Sequence, residues 1–329
     1  MSEHEPVMVA EVVELFRPVP PGSVVDATLG NGGHSRAVLQ VVPQVDVIGL
    51  DRDPDAIRRA EPTLAPFGGR VRLRRASFEE MAPVVRAIGE LQISGELQIS
   101  GELQISGALF DLGVSSPQLD EPERGFSYSH EGPLDMRMDP DQETTAADIV
   151  NGYSEDRLAR VLRDNGDERF AGRIARAIVA ARPLSGTKEL ADVVRSAIPA
   201  GARRHGRHPA RRSFQAIRIE VNRELEMLAG ALDDAVDLLA PGGRCVVLTY
   251  HSGEDRIVKD RFRYAATGGC VCPPRLPCQC GARPTVRLLK RGKRPTTEET
   301  ARNRRAESAR LRAVEKLLPE GPEGPGAAA

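Results

Sequence analysis

The chain has 329 residues, of which 40% are hydrophobic and 28% charged, and its net charge at pH 7 is −1. This composition is typical of a globular protein with a packed core, and it argues against wholesale disorder. The N-terminal residues form no apolar run, and no stretch approaches the roughly 20 apolar residues of a membrane span, so we expect a cytoplasmic protein with reduced cysteines.

The charge is unevenly distributed along the chain. Residues 203–212 contain five Arg and two His, and residues 283–312 contain eleven Lys or Arg against three Glu. Segments of this kind suit a nucleic-acid backbone, because each neutralised phosphate releases counterions. The alternative is an ordinary solvated basic surface.

Apolar runs alternate with helical patterns and predict a parallel α/β sheet. The predicted strands are Ser23–Ala27, Val45–Leu50, Val71–Arg74, Ala108–Leu112 and Arg244–Thr249. A helix is predicted from Phe214 to Leu239 with Ser213 as its N-cap, and Pro241-Gly242-Gly243 is expected to end it. Residues 139–212 have helical patterning only. We therefore predict an α/β domain from residues 1–138 and 213–329, with a basic C-terminal tail and an inserted helical domain at 139–212.

The hexapeptide ELQISG occurs three times in tandem across residues 90–107. Three short copies cannot bury a core of their own, so we expect a surface loop or an extended connection without a functional role.

A glycine-rich turn follows the first predicted strand in VVDATLGNGGHS. Gly30, Gly32 and Gly33 let the backbone approach a ligand, and the spacing G-x-G-G departs from the dinucleotide pattern G-x-G-x-x-G. Eighteen residues after Gly33, Asp51 ends the next strand, where its carboxylate can accept hydrogen bonds from ribose hydroxyls. The glycine-rich turn and Asp51 together favour a nucleoside-type cofactor. A structural hairpin, with Asp51 as a helix cap, is the alternative.

Three further positions are candidates near this crevice. Phe78 follows the third strand and could stack on an adenine or belong to the core. Asp111 ends the fourth strand, and Ser115 and Ser116 follow it in a turn, where acceptors could align an amine for methyl transfer. Asp111 could equally be a turn cap. The polar loop 125–139 could enclose a flipped base or pack as an ordinary loop.

Together these segments resemble the bacterial 16S ribosomal RNA N(4)-cytosine methyltransferases of the RsmH (MraW) family. The resemblance spans nearly the whole chain, and its most specific part is the block from FDLGVSSPQLD to MRMDP. Other matching motifs are HEPVMVAEVVE, DATLGNGGHS, GLDRDPDAI, GDERFAGRIARAIV, HPARRSFQAIRIEVNREL and LAPGGRCVVLTYHSGEDRIVK. Departures from the family pattern are Tyr250, Gly253, Glu307 and the triple ELQISG.

The resemblance implies a Rossmann-like class I methyltransferase, with residues 139–212 as an inserted helical domain for substrate recognition. Such an enzyme methylates the exocyclic 4-amino group of a decoding-centre (P-site) cytidine in 16S rRNA, within the small ribosomal subunit, using S-adenosylmethionine. Oligomeric state stays open, a homodimer included. By motif match, the implied cofactor contacts are Gly32, Gly33, His34, Asp51, Phe78, Asp111 and Gln118. Asp111, Ser115 and Ser116 are the candidate catalytic residues, with cofactor contact favoured for Asp111.

Four cysteines form a cluster of two C-x-C pairs, Cys270, Cys272, Cys278 and Cys280. Zinc knuckles usually have two or more residues within each pair, so we expect reduced thiols and no metal, with a zinc site as the alternative.

Two other functions compete with methyl transfer. An NAD oxidoreductase lacks the required phosphate-binding spacing here, and a non-enzymatic RNA-binding protein leaves the glycine turn and Asp51 unexplained.

Overall fold

The computed structural model describes residues 6–93, 103–203, 208–273 and 279–318. The chain divides into two compact units: the described residues of Met1–Gly113 with Met227–Ala329 form the first, and those of Val114–Glu226 form the second. The second unit contains the segment 139–212, whose role in substrate recognition stays a prediction. Within the described ranges, no helix is long and apolar enough to cross a membrane.

The first unit contains a seven-stranded sheet in the order β3-β2-β1-β4-β5-β7-β6. Its strands are β1 (Gly22–Asp26), β2 (Val45–Asp51), β3 (Val71–Arg75), β4 (Ile105–Asp111), β5 (Leu239–Thr249), β6 (Val286–Lys293) and β7 (Arg310–Lys316). Strands β1 to β5 pair in parallel, and β7 runs antiparallel to both β5 and β6. This arrangement is the Rossmann-like class I methyltransferase fold, so the predicted fold is confirmed.

The α-helices are α1 (Val9–Phe16), α2 (Gly33–Val41), α3 (Pro54–Leu64), α4 (Met81–Ile93), α5 (Ser116–Asp120), α6 (Ala146–Gly152), α7 (Glu155–Asp164), α8 (Ala171–Ala180), α9 (Thr187–Ala197), α10 (Ala200–Arg203), α11 (Arg211–Asn222), α12 (Glu224–Leu238), α13 (Ser252–Thr267) and α14 (Thr297–Arg302). Helix α3 shows why they begin where they do. Asp53 caps its first turn by accepting from Asp55 N, and Pro54 occupies the first helical position, where no N–H is needed.

The central strands β1, β2, β4 and β5 are buried on both faces, and successive residues of a strand face opposite layers. Val24 and Leu109 belong to a cluster with α1 and α2, whereas Val25 and Phe110 belong to a cluster with α4, α12 and α13. Because both of their faces are covered, these central strands contain apolar runs, which made them recognisable in the sequence. The outer strand β6 is largely exposed.

The ELQISG repeat is regular structure at both ends, which corrects the prediction of a loop there. Its first residues, from Glu90, complete α4, and Ile105 begins β4 three residues before the predicted start at Ala108. Ile105 pairs with Ser23 and Leu239, and Ser106 Oγ donates to Pro21 O at 3.0 Å. Central pairing on both sides therefore extends the strand into the repeat. Residues 94–102 lie outside the described residues.

The single predicted helix from Phe214 to Leu239 is wrong, because the structure has two helices, α11 and α12. Arg223 between them adopts a left-handed backbone with φ of 50°. Asn222 is buried and bonds to loop backbone there, accepting from Met138 N and donating to Met136 O, both at 2.8 Å. Both helices bury one apolar face, so the periodicity continues across the break.

Two local assignments change with this break. Ser213 is buried inside α11 rather than capping it, since that helix begins two residues earlier. Pro241-Gly242-Gly243 lies within β5, where the pairing with β4 is irregular between Leu239 and Arg244. Between these pairs β5 has three more residues than β4, and Pro and Gly are usual at such irregular positions of a strand.

The regular elements of the second unit are helices. Its core consists of apolar residues from five helices, α6, α7, α8, α9 and α11, among them Ile149, Leu158, Ile174, Leu190 and Ile217. Each of these five side chains is fully buried. Arg218 and Glu224 form a bidentate salt bridge in which both bonds are 2.8 Å long. This pair links the end of α11 to the start of α12 across the left-handed turn at Arg223.

Deletion of one ELQISG copy should leave the protein folded. The copies are identical, so the shortened chain still offers ELQI to the end of α4 and ISG to the start of β4. We expect the melting temperature to change by less than about 4 °C. The control is Ile105→Asp, which places a charge in the sheet and should cost about 3 kcal/mol or more. Loss of the cooperative transition in the deletion variant would contradict this expectation.

Candidate cofactor and active site

The central strands β1 and β4 are neighbours, and the chain proceeds from them to opposite halves of the sheet. In open parallel sheets a ligand crevice forms at such a switch point, beyond the carboxyl ends of the strands. Three carboxylates lie at these ends: Asp26 closes β1, Asp51 closes β2 and Asp111 closes β4. The structure thus brings the first unit's predicted acids to one edge of the sheet.

The glycine turn connects β1 to α2. Gly30 and Gly32 have φ of 53° and 74°, a left-handed conformation that other residues adopt at a cost. A Cβ on Gly33 would lie 2.6 Å from Pro6 Cγ, and one on Gly32 would lie 3.1 Å from Leu64, whereas one on Gly30 would meet nothing within 4 Å. Packing therefore favours glycine at position 33, whereas the left-handed backbone favours it at positions 30 and 32, and at position 32 the close approach of Leu64 adds to that preference.

Asp51 ties the glycine turn to the second strand. Its two carboxylate oxygens accept one backbone N–H each, from Gly30 and from Asp53, both at 2.9 Å. The cap of α3 is Asp53, so the alternative role of Asp51 as a helix cap is wrong. Burial raises the pKa of the Asp51 carboxyl to about 6, although both N–H donors act in the opposite direction. Each carboxylate oxygen of Asp51 has a second lone pair, which can accept a hydrogen bond from a hydroxyl group.

Asp26 was not singled out from the sequence. It is buried, and it accepts from Ser35 Oγ at 2.6 Å and from Thr28 N at 3.3 Å. Burial raises the pKa of this carboxyl, and the Ser35 hydrogen bond opposes that rise. Asp26 thereby fixes the start of the turn to the first residues of α2. The sequence signal for Asp26 was the position of an acidic residue at the end of the apolar run of β1.

Asp111 is held by several groups of the first unit. Its Oδ1 accepts from the Tyr250 hydroxyl at 2.6 Å, its backbone N–H donates to Thr28 Oγ1 at 2.6 Å, and its Oδ2 lies 3.4 Å from His34 Nε2. Burial and the neighbouring Asp111 raise the pKa of Tyr250 well above its usual value, so the phenol stays protonated and donates. Tyr250 was noticed in the sequence only as a departure from the family pattern.

His34 lies beside this carboxylate and is almost completely buried. Neither ring nitrogen makes a hydrogen bond to another group of the described chain. Nε2 has only its 3.4 Å approach to Asp111, and Nδ1 has no partner among the described residues, so the ring has capacity for a polar ligand at this crevice. The two carboxylates of Asp51 and Asp111 and this ring fit a nucleoside that carries an amino-acid tail, as S-adenosylmethionine does.

Phe78 is 7% exposed and belongs to the sheet core. Its ring meets Phe110 edge to face, with centroids 6.2 Å apart, and the Arg52 guanidinium lies 5.9 Å from its centroid. The core role is thus present, and adenine stacking stays a prediction.

Ser115, Ser116 and Gln118 belong to the second unit. Ser116 begins α5, and Gln118 is buried with its Oε1 accepting from Ser115 N at 3.0 Å. This contact closes the turn before α5 and gives Gln118 a structural role. The predicted cofactor contact of Gln118 and the catalytic roles of the two serines stay predictions.

Comparisons with known proteins agree on one family. The MraW methylase family model matches residues 1–317. The chain is 52% identical to a ribosomal RNA small subunit methyltransferase H from Thermobifida fusca, over 95% of this chain and 93% of that protein. It is 49% identical to the protein of that name from Heliobacterium modesticaldum, over 95% and 98%.

Solved structures give a weaker likeness. A putative rRNA-methylase from Clostridium thermocellum aligns over 96% of this chain and all of that one, with 13% identity and a TM-score of 0.41. The fold assignment therefore rests on the strand order.

Affinity for S-adenosylhomocysteine should fall as the pH drops below about 6. Ribose hydroxyls donate best to ionised Asp51, and its pKa near 6 means that protonation competes with binding below that pH. The expected loss is roughly tenfold per pH unit below the pKa, measured by calorimetric titration between about pH 5 and pH 8.

Two variants make this test specific. Asp51→Asn should bind weakly at every pH and lose this dependence, whereas Asp53→Asn, which preserves the cap of α3, should keep it. An unchanged pH dependence in Asp51→Asn would exclude Asp51 as its source.

Proposed function

The chain belongs to the MraW methylase family, and on that premise we propose that it methylates the exocyclic 4-amino group of a decoding-centre (P-site) cytidine in 16S rRNA. The coarser activity, S-adenosylmethionine-dependent methylation of small-subunit ribosomal RNA, follows from the family and its relatives. The family match over residues 1–317 carries the proposal. The choice of cytidine nitrogen is supported by the resemblance of the FDLGVSSPQLD to MRMDP block. An rRNA substrate implies a cytoplasmic enzyme.

The cofactor is proposed to lie along the switch-point crevice. Asp51 would accept from the ribose hydroxyls, while Gly32, Gly33 and His34 would face the amino-acid tail at the start of α2. The position of Asp111 supports cofactor contact as well, since its carboxylate lies 3.4 Å from Nε2 of the buried His34 ring, whose nitrogens make no hydrogen bond to the described chain. A cationic amino group is a suitable partner for that carboxylate.

S-adenosylmethionine supplies a methyl group already activated by its sulfonium, so the protein's task is alignment. The cytosine amine is a poor nucleophile, because its lone pair is delocalised into the ring. Acceptors for its hydrogens, which we assign to Asp111 and to the Ser115–Ser116 turn, would bias the nitrogen toward attack. Tyr250 cannot be the base while it donates to Asp111, and it acts as a positioning residue for that carboxylate.

Part of the basic tail is occupied by intramolecular ion pairs. Arg312 forms a bidentate pair with Asp255 at 2.8 and 3.0 Å, and Arg287 and Lys293 pair with Glu315 and Glu11. Other cations in this segment are exposed, namely Arg283, Lys290, Arg291, Arg294 and Arg304. We propose that these exposed cations contact RNA phosphates, whereas Arg312 stabilises the fold.

The loop 125–139 is proposed to contribute to the RNA substrate site through few side chains. Phe126 is buried, and Tyr128 stacks on His208 with centroids 4.6 Å apart and meets Phe214 edge to face. Both rings are thus engaged within the second unit. His130 is exposed, with its Nδ1 3.2 Å from Ser127 Oγ, and is the better candidate for contact with a base.

Small ribosomal subunits from a bacterium that lacks this modification should be methylated by the purified protein on cytidine N(4). The measurement is mass spectrometry of the nucleosides after reaction with isotopically labelled S-adenosylmethionine. Asp111→Asn should yield the same product at least about tenfold more slowly, because alignment is lost and the crevice is kept.

The methylated nucleoside shows whether the 4-amino group of cytidine is the target or whether only the broader activity on small-subunit RNA is correct. A labelled 5-methylcytidine or a methylated ribose would refute the assignment of the 4-amino group while leaving a small-subunit RNA methyltransferase. Absence of label from subunits, naked 16S rRNA included, would refute the proposed function as a whole.

A further inference from the structure

Three cysteine thiols lie close together in the connection between α13 and β6. In the sequence, this connection is far from the three carboxylates at the strand ends. The Sγ atoms of Cys270, Cys272 and Cys280 all lie within 4.8 Å of one another. Two of these residues are half-buried and Cys280 is exposed. Methyl transfer makes no use of these thiols.

Two segments carry the cysteines, and we call them the arms: the first follows α13 and contains Cys270 and Cys272, and the second precedes β6 and contains Cys280. Backbone contacts hold the two arms together. Thr285 N donates to Ala265 O at 2.9 Å, which pairs the arms where they leave α13 and approach β6. Gly268, with φ of 62°, passes so close to the second arm that a Cβ there would lie 2.4 Å from Arg283 N. Cys270 N donates back to Thr267 O at 3.2 Å. The approach of the thiols is therefore built into the fold of both arms.

A contact across the arms also involves a sulfur atom directly. Gln279 N donates to Cys272 Sγ at 3.4 Å. Outer hydrogen bonds of this kind orient metal ligands, and an amide donor stabilises the anionic form of a thiol that binds a metal. Gly281, which follows Cys280, has a left-handed φ of 69° that turns the second arm at this point.

The separations suit a shared tetrahedral ion. Zn–S bonds of about 2.3 Å place tetrahedral sulfurs roughly 3.8 Å apart, so thiols within 4.8 Å need only a small contraction. A disulfide would join two of the three sulfurs and leave the third out. Soft thiolates select zinc over magnesium or calcium.

The sequence spacing had favoured thiols without a metal, because each C-x-C pair is too short to form a knuckle by itself. In the structure, Cys270 and Cys272 come from the first arm and Cys280 comes from the second. The ligands are therefore shared between the arms, and neither C-x-C pair has to surround an ion by itself. The sequence supplies one more thiol, Cys278, which lies outside the described residues.

We propose that Cys270, Cys272 and Cys280 bind one Zn²⁺ ion as thiolates. With three protein ligands, a water molecule takes the fourth tetrahedral position. The ion links the two arms of the connection that precedes β6, the strand that carries part of the exposed basic surface. Its binding deprotonates the three thiols and releases their protons to solvent. Cys245, in contrast, lies buried in β5, where burial raises its thiol pKa, and it takes no part.

Elemental analysis tests the proposal on full-length protein purified without chelators. We expect about one zinc per chain, and a decrease of at least about tenfold in Cys272→Ser. The matched control is Cys245→Ala, which removes a cysteine outside the cluster and should retain the metal. A cooperative thermal transition in Cys272→Ser would show that the variant is folded. Zinc at full occupancy in folded Cys272→Ser, or zinc absent from the wild-type protein, would overturn the proposal.

Cobalt exchange provides a readout that does not depend on purification history. Co²⁺ added to the chelator-treated protein should give a sulfur-to-cobalt charge-transfer band in the near ultraviolet, which Zn²⁺ displaces. The band should weaken in Cys270→Ser and in Cys280→Ser and persist in Cys245→Ala. A spectrum without thiolate bands would assign the bound metal, if any, to another site.

Discussion

The parallel pairing of β1 with β4 is the constraint on which the site depends. It places the ends of both strands side by side, so that Ala27 N bonds to Leu109 O at 2.9 Å and Thr28 Oγ1 accepts from Asp111 N. The glycine turn leaves β1 at this level, and Asp51 joins it from the neighbouring strand. Since the central strands are buried on both faces, their carboxyl ends are where polar groups can be concentrated at low cost.

The carboxylates of this edge are distinguished by their surroundings. Asp26 is buried and fastened to Ser35, so it serves the turn itself. Asp51 combines a pKa raised to about 6 with acceptor capacity that two backbone bonds do not exhaust. Asp111 keeps a side chain that is 27% exposed, oriented by a phenol that stays protonated. This gradation, from structural acid to accessible acid, suits one ligand that has both hydroxyl and cationic ends.

Much of this was predictable from the sequence, because strands buried on both faces are continuous apolar runs and their last residues are readily identified. Asp51 and Asp111 were found in this way. Tyr250 was not assigned a role, since its partner is 139 positions away and no local pattern records such a contact. The break at Arg223 was missed because hydrophobic periodicity continues through it, and the partners of Asn222 belong to a distant loop. The convergence of cysteines depends on two arms meeting, which spacing within one arm does not reveal.

The most direct test of the site is a crystal structure of the protein with S-adenosylhomocysteine. We expect ribose hydroxyls within hydrogen-bond distance of the Asp51 carboxylate, and the amino-acid tail of the ligand beside His34 and Asp111. A ligand bound elsewhere, or one whose ribose makes no contact with Asp51, would contradict this expectation.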